Sequence, residues 1–260
     1  MIQGLVGMKV AIIGCGHVGR AMEQLFPQAL RYDPGLGIGS REAVMGVDVA
    51  FLCLPTPSAE DGSCDTSIVE SVIQWLEAEY LVIRSTVSVG FTERMRQKYN
   101  KRILFQPEYY GETPGHPFAD LRNRSWITLG GEPQDCEAVA EFYRQVYGDE
   151  IRICIVGDRE AELSKYMTNA FLASKVVFCN MIYDAARKMG VDYEQAKTAW
   201  LLDPRIGESH TRVFENDRGF GGSCFPKDTR ALQAMLKEYG VESDYLDGMI
   251  LHNESLRKRN

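Results

Sequence analysis

The chain has 260 residues, 45% of them hydrophobic, which is enough for one large domain or two small ones. A formal charge of −7 argues against nucleic acid or an anionic membrane as the main partner. No apolar run could span a bilayer, no basic segment leads into an apolar one at the start, and the seven cysteines form no CxxC pair, so a reducing cytoplasm with free thiols is expected.

Residues 9–13, Lys-Val-Ala-Ile-Ile, have the apolar β-branched character of a buried parallel strand. Gly14-Cys-Gly-His-Val-Gly19 follows and leads into a predicted helix over 20–26, which sets GxGxxG in its strand–turn–helix context. Gly14 suits the tight turn, Gly16 the approach of a pyrophosphate, and Gly19 a close helix–strand contact. The N-terminus of that helix offers N–H groups and partial positive charge to phosphates, and the loop residues His17 and Val18 are counted with the glycines as cofactor-binding. His17 is expected to pack over the pyrophosphate rather than act as a base. A second strand over 29–32 ends at Asp33, whose carboxylate can accept hydrogen bonds from ribose hydroxyls and repel a 2′-phosphate, favouring NAD over NADP. A third strand is predicted over 47–54. The link 34–46 is minimal for a crossover, so a shallow adenine pocket and weakened NAD affinity are expected.

Further on, a helix is predicted over 66–78 with Asp65 or Thr66 as its cap, then strands over 80–83, 102–105, 126–129 and 151–156, with a helix over 134–147. Thr56, Thr86 and Glu108 fall at C-terminal strand ends, where open α/β sheets bind ligands. From Arg159 the pattern is helical alone: 160–189 with a stop at Gly190, then 193–201, 228–238 and 245–258. The expected architecture is α/β: a Rossmann-like doubly wound parallel sheet over 1–157, followed by an all-helical domain over 158–260. The four histidines are scattered without ligand spacing, so no metal site is predicted.

The stretch Gly219-Phe-Gly-Gly-Ser-Cys-Phe-Pro-Lys-Asp228 places one thiol, Cys224, on a glycine-rich loop with a cation and an anion three and four residues later. A cysteine is a strong nucleophile only as its thiolate, which nearby positive charge or N–H groups favour. The remaining cysteines are read as structural.

Taken together, these motifs resemble the UDP-glucose/GDP-mannose dehydrogenase family along nearly the whole chain. The resemblance is carried by the nucleotide loop, Leu54-Pro-Thr-Pro57, Ser85-Thr86-Val87, Pro107-Glu108 with Glu112, Ser164-Lys165 with Asn169, Arg205-Ile-Gly207 and the Cys224 loop. It implies oxidation of a sugar C6 alcohol to a carboxylate with reduction of two NAD, UDP-glucose being the expected substrate. Cys224 would attack the intermediate aldehyde, and the thiohemiacetal would go on to a thioester. Lys165 would stabilise the oxyanion, with Asn169 one helical turn later as a second donor. Asp228 would position a water or orient Lys165, Thr86 would hold a water or contact the nicotinamide, and Glu108 would be the acid/base for hydrolysis. Pro55, Thr56, Glu112 and Lys227 would lie near the cofactor. Glu108, Lys165, Asn169, Phe220 and Gly221 would contact substrate, with Arg205 reaching it from the neighbouring subunit of a homodimer formed through the helical domain.

Each role has a plainer alternative. Lys165 and Asn169 fit the solvated stripe of an amphipathic helix, Glu108 and Glu112 fit loop acids, and Asp228 fits a helix N-cap or an exposed pair with Lys227. The chain also departs from the family, whose members continue into a second α/β domain that closes over substrate. Here the sequence stops at Asn260, and the link from Arg205 to the Cys224 loop is longer than the family pattern. Three readings follow: a minimal nucleotide-sugar dehydrogenase completed by dimerisation or a separate chain; a two-electron β-hydroxyacid-type dehydrogenase, against which Cys224 argues; and a non-catalytic protein that binds NAD or a nucleotide sugar.

Overall fold

A computed structural model describes residues 8–111 and 120–258, which form two compact units. The first comprises Met1–Pro57 and Cys64–Lys165, the second Ser58–Ser63 and Tyr166–Asn260. The first unit is built on a seven-stranded sheet of β1 (Val10–Ile13), β2 (Leu30–Tyr32), β3 (Val47–Leu52), β4 (Ala78–Ile83), β5 (Ile103–Phe105), β6 (Trp126–Gly130) and β7 (Arg152–Val156). Their order across the sheet is β2-β1-β3-β4-β5-β6-β7. Strands β1 to β5 are parallel. Strand β6 pairs antiparallel with β5 and parallel with β7, so the last two strands run the other way.

Apolar side chains that alternate along the strands feed two cores, one on each face. Ile12, Phe51 and Val82 pack with Met22 and Leu25 of α1 (His17–Leu25) and with Val139 and Phe142 of α4 (Pro133–Tyr147). Ala11, Ile13 and Leu52 pack on the other face with Val69 and Ile73 of α2 (Ser67–Trp75) and with Phe91 and Met95 of α3 (Phe91–Tyr99). Helices on both faces make this the doubly wound α/β fold that the sequence predicts. Helix α3 was not expected. In Phe-Thr-Glu-Arg-Met-Arg-Gln-Lys-Tyr only Phe91, Thr92 and Met95 are buried, too few apolar positions to show a period.

The link after β2 contains no α-helix. Its regular structure is one 3-10 turn, Glu42–Val44. Asp33 and Ile38 exchange backbone hydrogen bonds at 2.9 Å each, folding the chain back immediately after β2. Gly39 closes this turn at φ +65°, where an added Cβ would lie 1.9 Å from the Arg31 carbonyl oxygen. Trp75 meets Tyr32 edge-on at 5.6 Å and carries the Arg41 guanidinium 4.7 Å from its ring centre.

The second unit takes up the later turns of the 32-residue α5 (Asp158–Met189) and adds α6 (Tyr193–Trp200), α7 (Phe225–Glu238) and α8 (Asp244–Arg257). Gly190, at φ +69°, ends α5 as the sequence predicts. Among the described residues this unit has no strand. Its cores are Ala173, Val177, Phe220, Leu246 and Met249, and a smaller group of Cys179, Ala186 and Tyr193. Helix α7 begins three residues before the predicted start, because Pro226 is accommodated in its first turn.

Candidate active site

At the end of β1 the three glycines differ in what surrounds them. Gly14 has φ +89°, and an added Cβ would lie 2.4 Å from the Cys53 carbonyl oxygen. At Gly19 the same atom would lie 2.0 Å from the Gly14 carbonyl oxygen. Both positions are closed to any side chain. Gly16, the N-cap of α1, has nothing within 4 Å of that position, so its backbone faces open space. A tight turn, a tight helix–strand contact and an open cradle at a helix N-terminus are what a pyrophosphate requires. Asp33 completes the loop: its Oδ2 accepts from Cys15 N at 2.8 Å and its Oδ1 from Leu36 N at 3.1 Å. His17 and Val18 open α1, His17 exposed and Val18 half-buried.

The next three parallel strands deliver polar residues to the same sheet end. Thr56, after β3, is buried, while Pro55 beside it is exposed. Ser85, after β4, binds the β3 loop, accepting from Leu54 N at 2.8 Å and donating to the Leu54 carbonyl at 2.7 Å. Thr86 follows it, half-buried. Glu108, after β5, is 5% exposed. Its Oε1 accepts from Tyr109 N at 2.6 Å, Tyr110 N at 2.5 Å and Arg124 Nη2 at 3.0 Å, and its Oε2 is ion-paired with Arg84. The carboxylate expected to move protons is therefore committed to two arginines and two backbone N–H groups. Lys165, on α5, is buried as well. Its ammonium donates to the Glu108 carbonyl oxygen and lies 5.0 Å from the centre of the Tyr109 ring. It does not belong to a solvated stripe.

In the second unit Cys224 is the exposed N-cap of α7, with its Sγ 3.7 Å from Ser223 Oγ. The thiol therefore stands at the positive end of a 14-residue helix. One turn on, Asp228 is 1% exposed. Its Oδ2 accepts from Asn169 Nδ2 at 2.5 Å and its Oδ1 pairs with Lys227 Nζ at 2.6 Å. Asp228 is thus neither an N-cap nor part of an exposed pair. Phe220 is buried with its N–H donated to Asn253 Oδ1 at 2.7 Å, and Gly221 is half-buried. Arg205 is the outlier, with its side chain 86% exposed and held by Asp203 two residues earlier. Glu112 lies outside the described residues. Among the described residues no cluster has metal-ligating composition, and no helix is long and apolar enough to cross a membrane.

Three groups escaped the sequence reading: Arg84 and Arg124 on Glu108, and Glu162 of α5, whose carboxylate accepts from Gly90 N at 2.5 Å and Thr92 N at 2.9 Å at the start of α3. All three are charged residues in buried positions, and composition carries no sign of which charges have buried partners.

The central-domain description of the UDP-glucose/GDP-mannose dehydrogenase family matches residues 159–255, and the NAD-binding-domain description of the same family matches residues 37–148. The chain belongs to the UDP-glucose/GDP-mannose dehydrogenase family. Its cofactor is NAD, and the glycine loop, which precedes the matched span, leaves the backbone at Gly16 facing open space. The chain is 33% identical over 248 residues to the UDP-glucose 6-dehydrogenase of Pseudomonas aeruginosa, an alignment covering 89% of this chain and 53% of that enzyme. The UDP-glucose dehydrogenase structure from Pyrobaculum islandicum superposes with a TM-score of 0.78 at 27% identity, over 95% of this chain and 68% of that one. The 3-hydroxyisobutyrate dehydrogenase of Mycobacterium tuberculosis shares the fold alone, with a TM-score of 0.68 at 16% identity over 94% of this chain and 91% of that one. The chain spans about half the length of the curated Pseudomonas relative.

Proposed function

We propose that this family member oxidises the C6 alcohol of a nucleotide sugar, UDP-glucose first among them, to the uronic acid in two NAD-dependent steps. The observation that carries the reading is an exposed thiol at the N-terminus of α7, with the buried Asn169–Asp228 bond one turn below it. A two-electron oxidation needs no nucleophile, so Cys224 favours the four-electron chemistry over the β-hydroxyacid alternative.

NAD, when bound, would supply the hydride acceptor for each of the two oxidations. Cys224 adds to the aldehyde between the two, and water cleaves the resulting thioester. Lys165 supplies a desolvated cation for the developing oxyanion, and Asn169 retains a second amide hydrogen beyond the one given to Asp228. Asp228 holds Asn169 and Lys227 in place. Thr86 holds a water or the nicotinamide at the end of β4. Glu108 acts through its carbonyl oxygen on Lys165, and its carboxylate is not given the hydrolysis step. Residues 1–157 serve as the NAD domain and 158–260 as the domain bearing the thiol. A homodimer is proposed through the outer side of α5, where Met167, Phe171, Phe178 and Met181 are exposed at helical spacing. Arg205 would reach substrate from that partner, and a separate chain is the alternative source of the remaining clamp.

The test is NADH yield per sugar consumed by the purified protein over a panel of UDP- and GDP-sugars, with Cys224→Ala alongside. Two NADH per sugar, lost in C224A, supports the proposal. One NADH per substrate, indifferent to C224A, gives the two-electron reading. No NADH despite measurable NAD binding gives the binding protein or the missing partner chain.

A further inference from the structure

Two arginines from separate strand ends converge on one carboxylate. Arg84 follows β4 and Arg124 precedes β6, and both are buried. Arg84 pairs with Glu108 Oε2, and Arg124 Nη2 donates to Oε1 at 3.0 Å. The same Oε1 accepts Tyr109 N and Tyr110 N, so the carboxylate fixes the backbone that follows it. Behind Arg84 stands Gln106, which takes a hydrogen bond from Arg84 Nη1 and another from the Tyr143 hydroxyl at 2.5 Å. Arg124 is also braced, its guanidinium 5.9 Å from the Trp126 ring centre and that ring 5.3 Å from Tyr109.

This clamp holds two groups that the Lys165 ammonium touches. One is the Glu108 carbonyl oxygen and the other is the face of Tyr109. A buried lysine has a flexible four-carbon stem, and its charge can be aimed only by fixed acceptors. Glu108 and Tyr109 each supply one such acceptor, and that segment is tied at Glu108 by the arginines.

We propose that Arg84 and Arg124 are positioning residues for Lys165, clamping Glu108 so that its carbonyl oxygen and the Tyr109 ring hold the ammonium in one place. The proposal rests on reading Lys165 as the cation that stabilises the oxyanion. Neither arginine is given contact with substrate or NAD. They act on the reaction only by fixing where the lysine charge sits.

The first test needs no turnover. Trace acetylation with acetic anhydride, followed by peptide mapping, reads the reactivity of Lys165 against Lys101, a lysine of the same unit whose ammonium is held by the Ile73 and Leu76 carbonyls. Arg124→Gln should raise Lys165 reactivity about tenfold, the range expected for a lost buried hydrogen bond, and leave Lys101 unchanged. Glu108→Gln should do the same, the double variant should add little to either single one, and Arg124→Lys should fall between. Unchanged Lys165 in both single variants overturns the proposal, as does a rise shared with Lys101 even in the mild Arg124→Lys. Multiplying effects in the double variant also overturn it.

The second test is turnover, where the same variants should lower kcat with KM for NAD unchanged and Arg124→Lys should restore part of the rate. A labelling response without any loss of kcat in an active wild type would remove the catalytic role. If the wild type reduces no NAD while the labelling pattern holds, the chain alone is not the dehydrogenase proposed above and the clamp on Lys165 stands.

Discussion

Asn169 donates its side-chain amide to Asp228 at 2.5 Å, joining the middle of α5 to the first turn of α7. The acceptor is almost fully buried and also holds Lys227, so one carboxylate organises two donors below the Cys224 thiol. Asp228→Asn turns an acceptor into a donor facing a donor and leaves Lys227 without its anion. Urea unfolding should show a loss of about 1–3 kcal/mol. Asn169→Asp brings two carboxylates together, so it should be destabilised at neutral pH and partly recover on acidification. Equal stability of D228N and wild type would show the contact to be incidental.

The three loop glycines should separate by what they disturb. Gly14→Ala and Gly19→Ala push a methyl into a carbonyl oxygen and should lower the melting temperature of the first unit. Gly16→Ala meets nothing within 4 Å, so its melting temperature should match wild type while NAD binding, followed by calorimetry, is lost. A G16A protein that binds NAD normally would move the pyrophosphate elsewhere.

Burial pushes the Glu162 carboxyl up to about 7, outweighing the Gly90 and Thr92 N–H groups that favour its ionised form. The folded state therefore keeps this proton to higher pH than the unfolded chain, whose carboxyl has its ordinary value. The stabilisation is complete below about pH 4.5, declines between there and about pH 7, and is gone above. The group contributes up to about 3 kcal/mol across that window. Glu162→Gln should flatten this part of the curve of unfolding free energy against pH. An unchanged slope in E162Q would assign it to other groups.

NAD should bind weakly. The link after Asp33 is a folded-back turn with a single 3-10 turn, where a crossover helix would build the adenine wall. A dissociation constant of about 0.1–1 mM is expected from titration. Asp33→Ser should weaken it further and lift the exclusion of NADP, since the carboxylate that repels a 2′-phosphate is gone.

Much of this was legible in the sequence because the relevant physics is local. Val10–Ile13 and Val47–Leu52 announce buried strands through unbroken apolar runs, and Gly14, Gly16 and Gly19 announce a phosphate loop through spacing. The direction of β6 and β7 was not legible, because alternation identifies a strand and not which way it runs. Helix α3 was hidden by its charged residues. The clamp on Glu108 was hidden for a different reason: Arg84 and Arg124 lie 40 residues apart in sequence, and their meeting is a property of the sheet order.

The turn that follows β2 has a consequence for solubility. Strand β2 borders the sheet, and a bordering strand normally offers bare N–H and C=O groups on which another chain can polymerise. Here Ile38 takes up the outward backbone groups of Asp33, and Gly39 sits against the outward carbonyl of Arg31. The sheet supplies its own stopper. That border of the sheet is thus closed to a further strand, and a Gly39 substitution that forces the turn open should reveal itself first as aggregation, ahead of any change in chemistry.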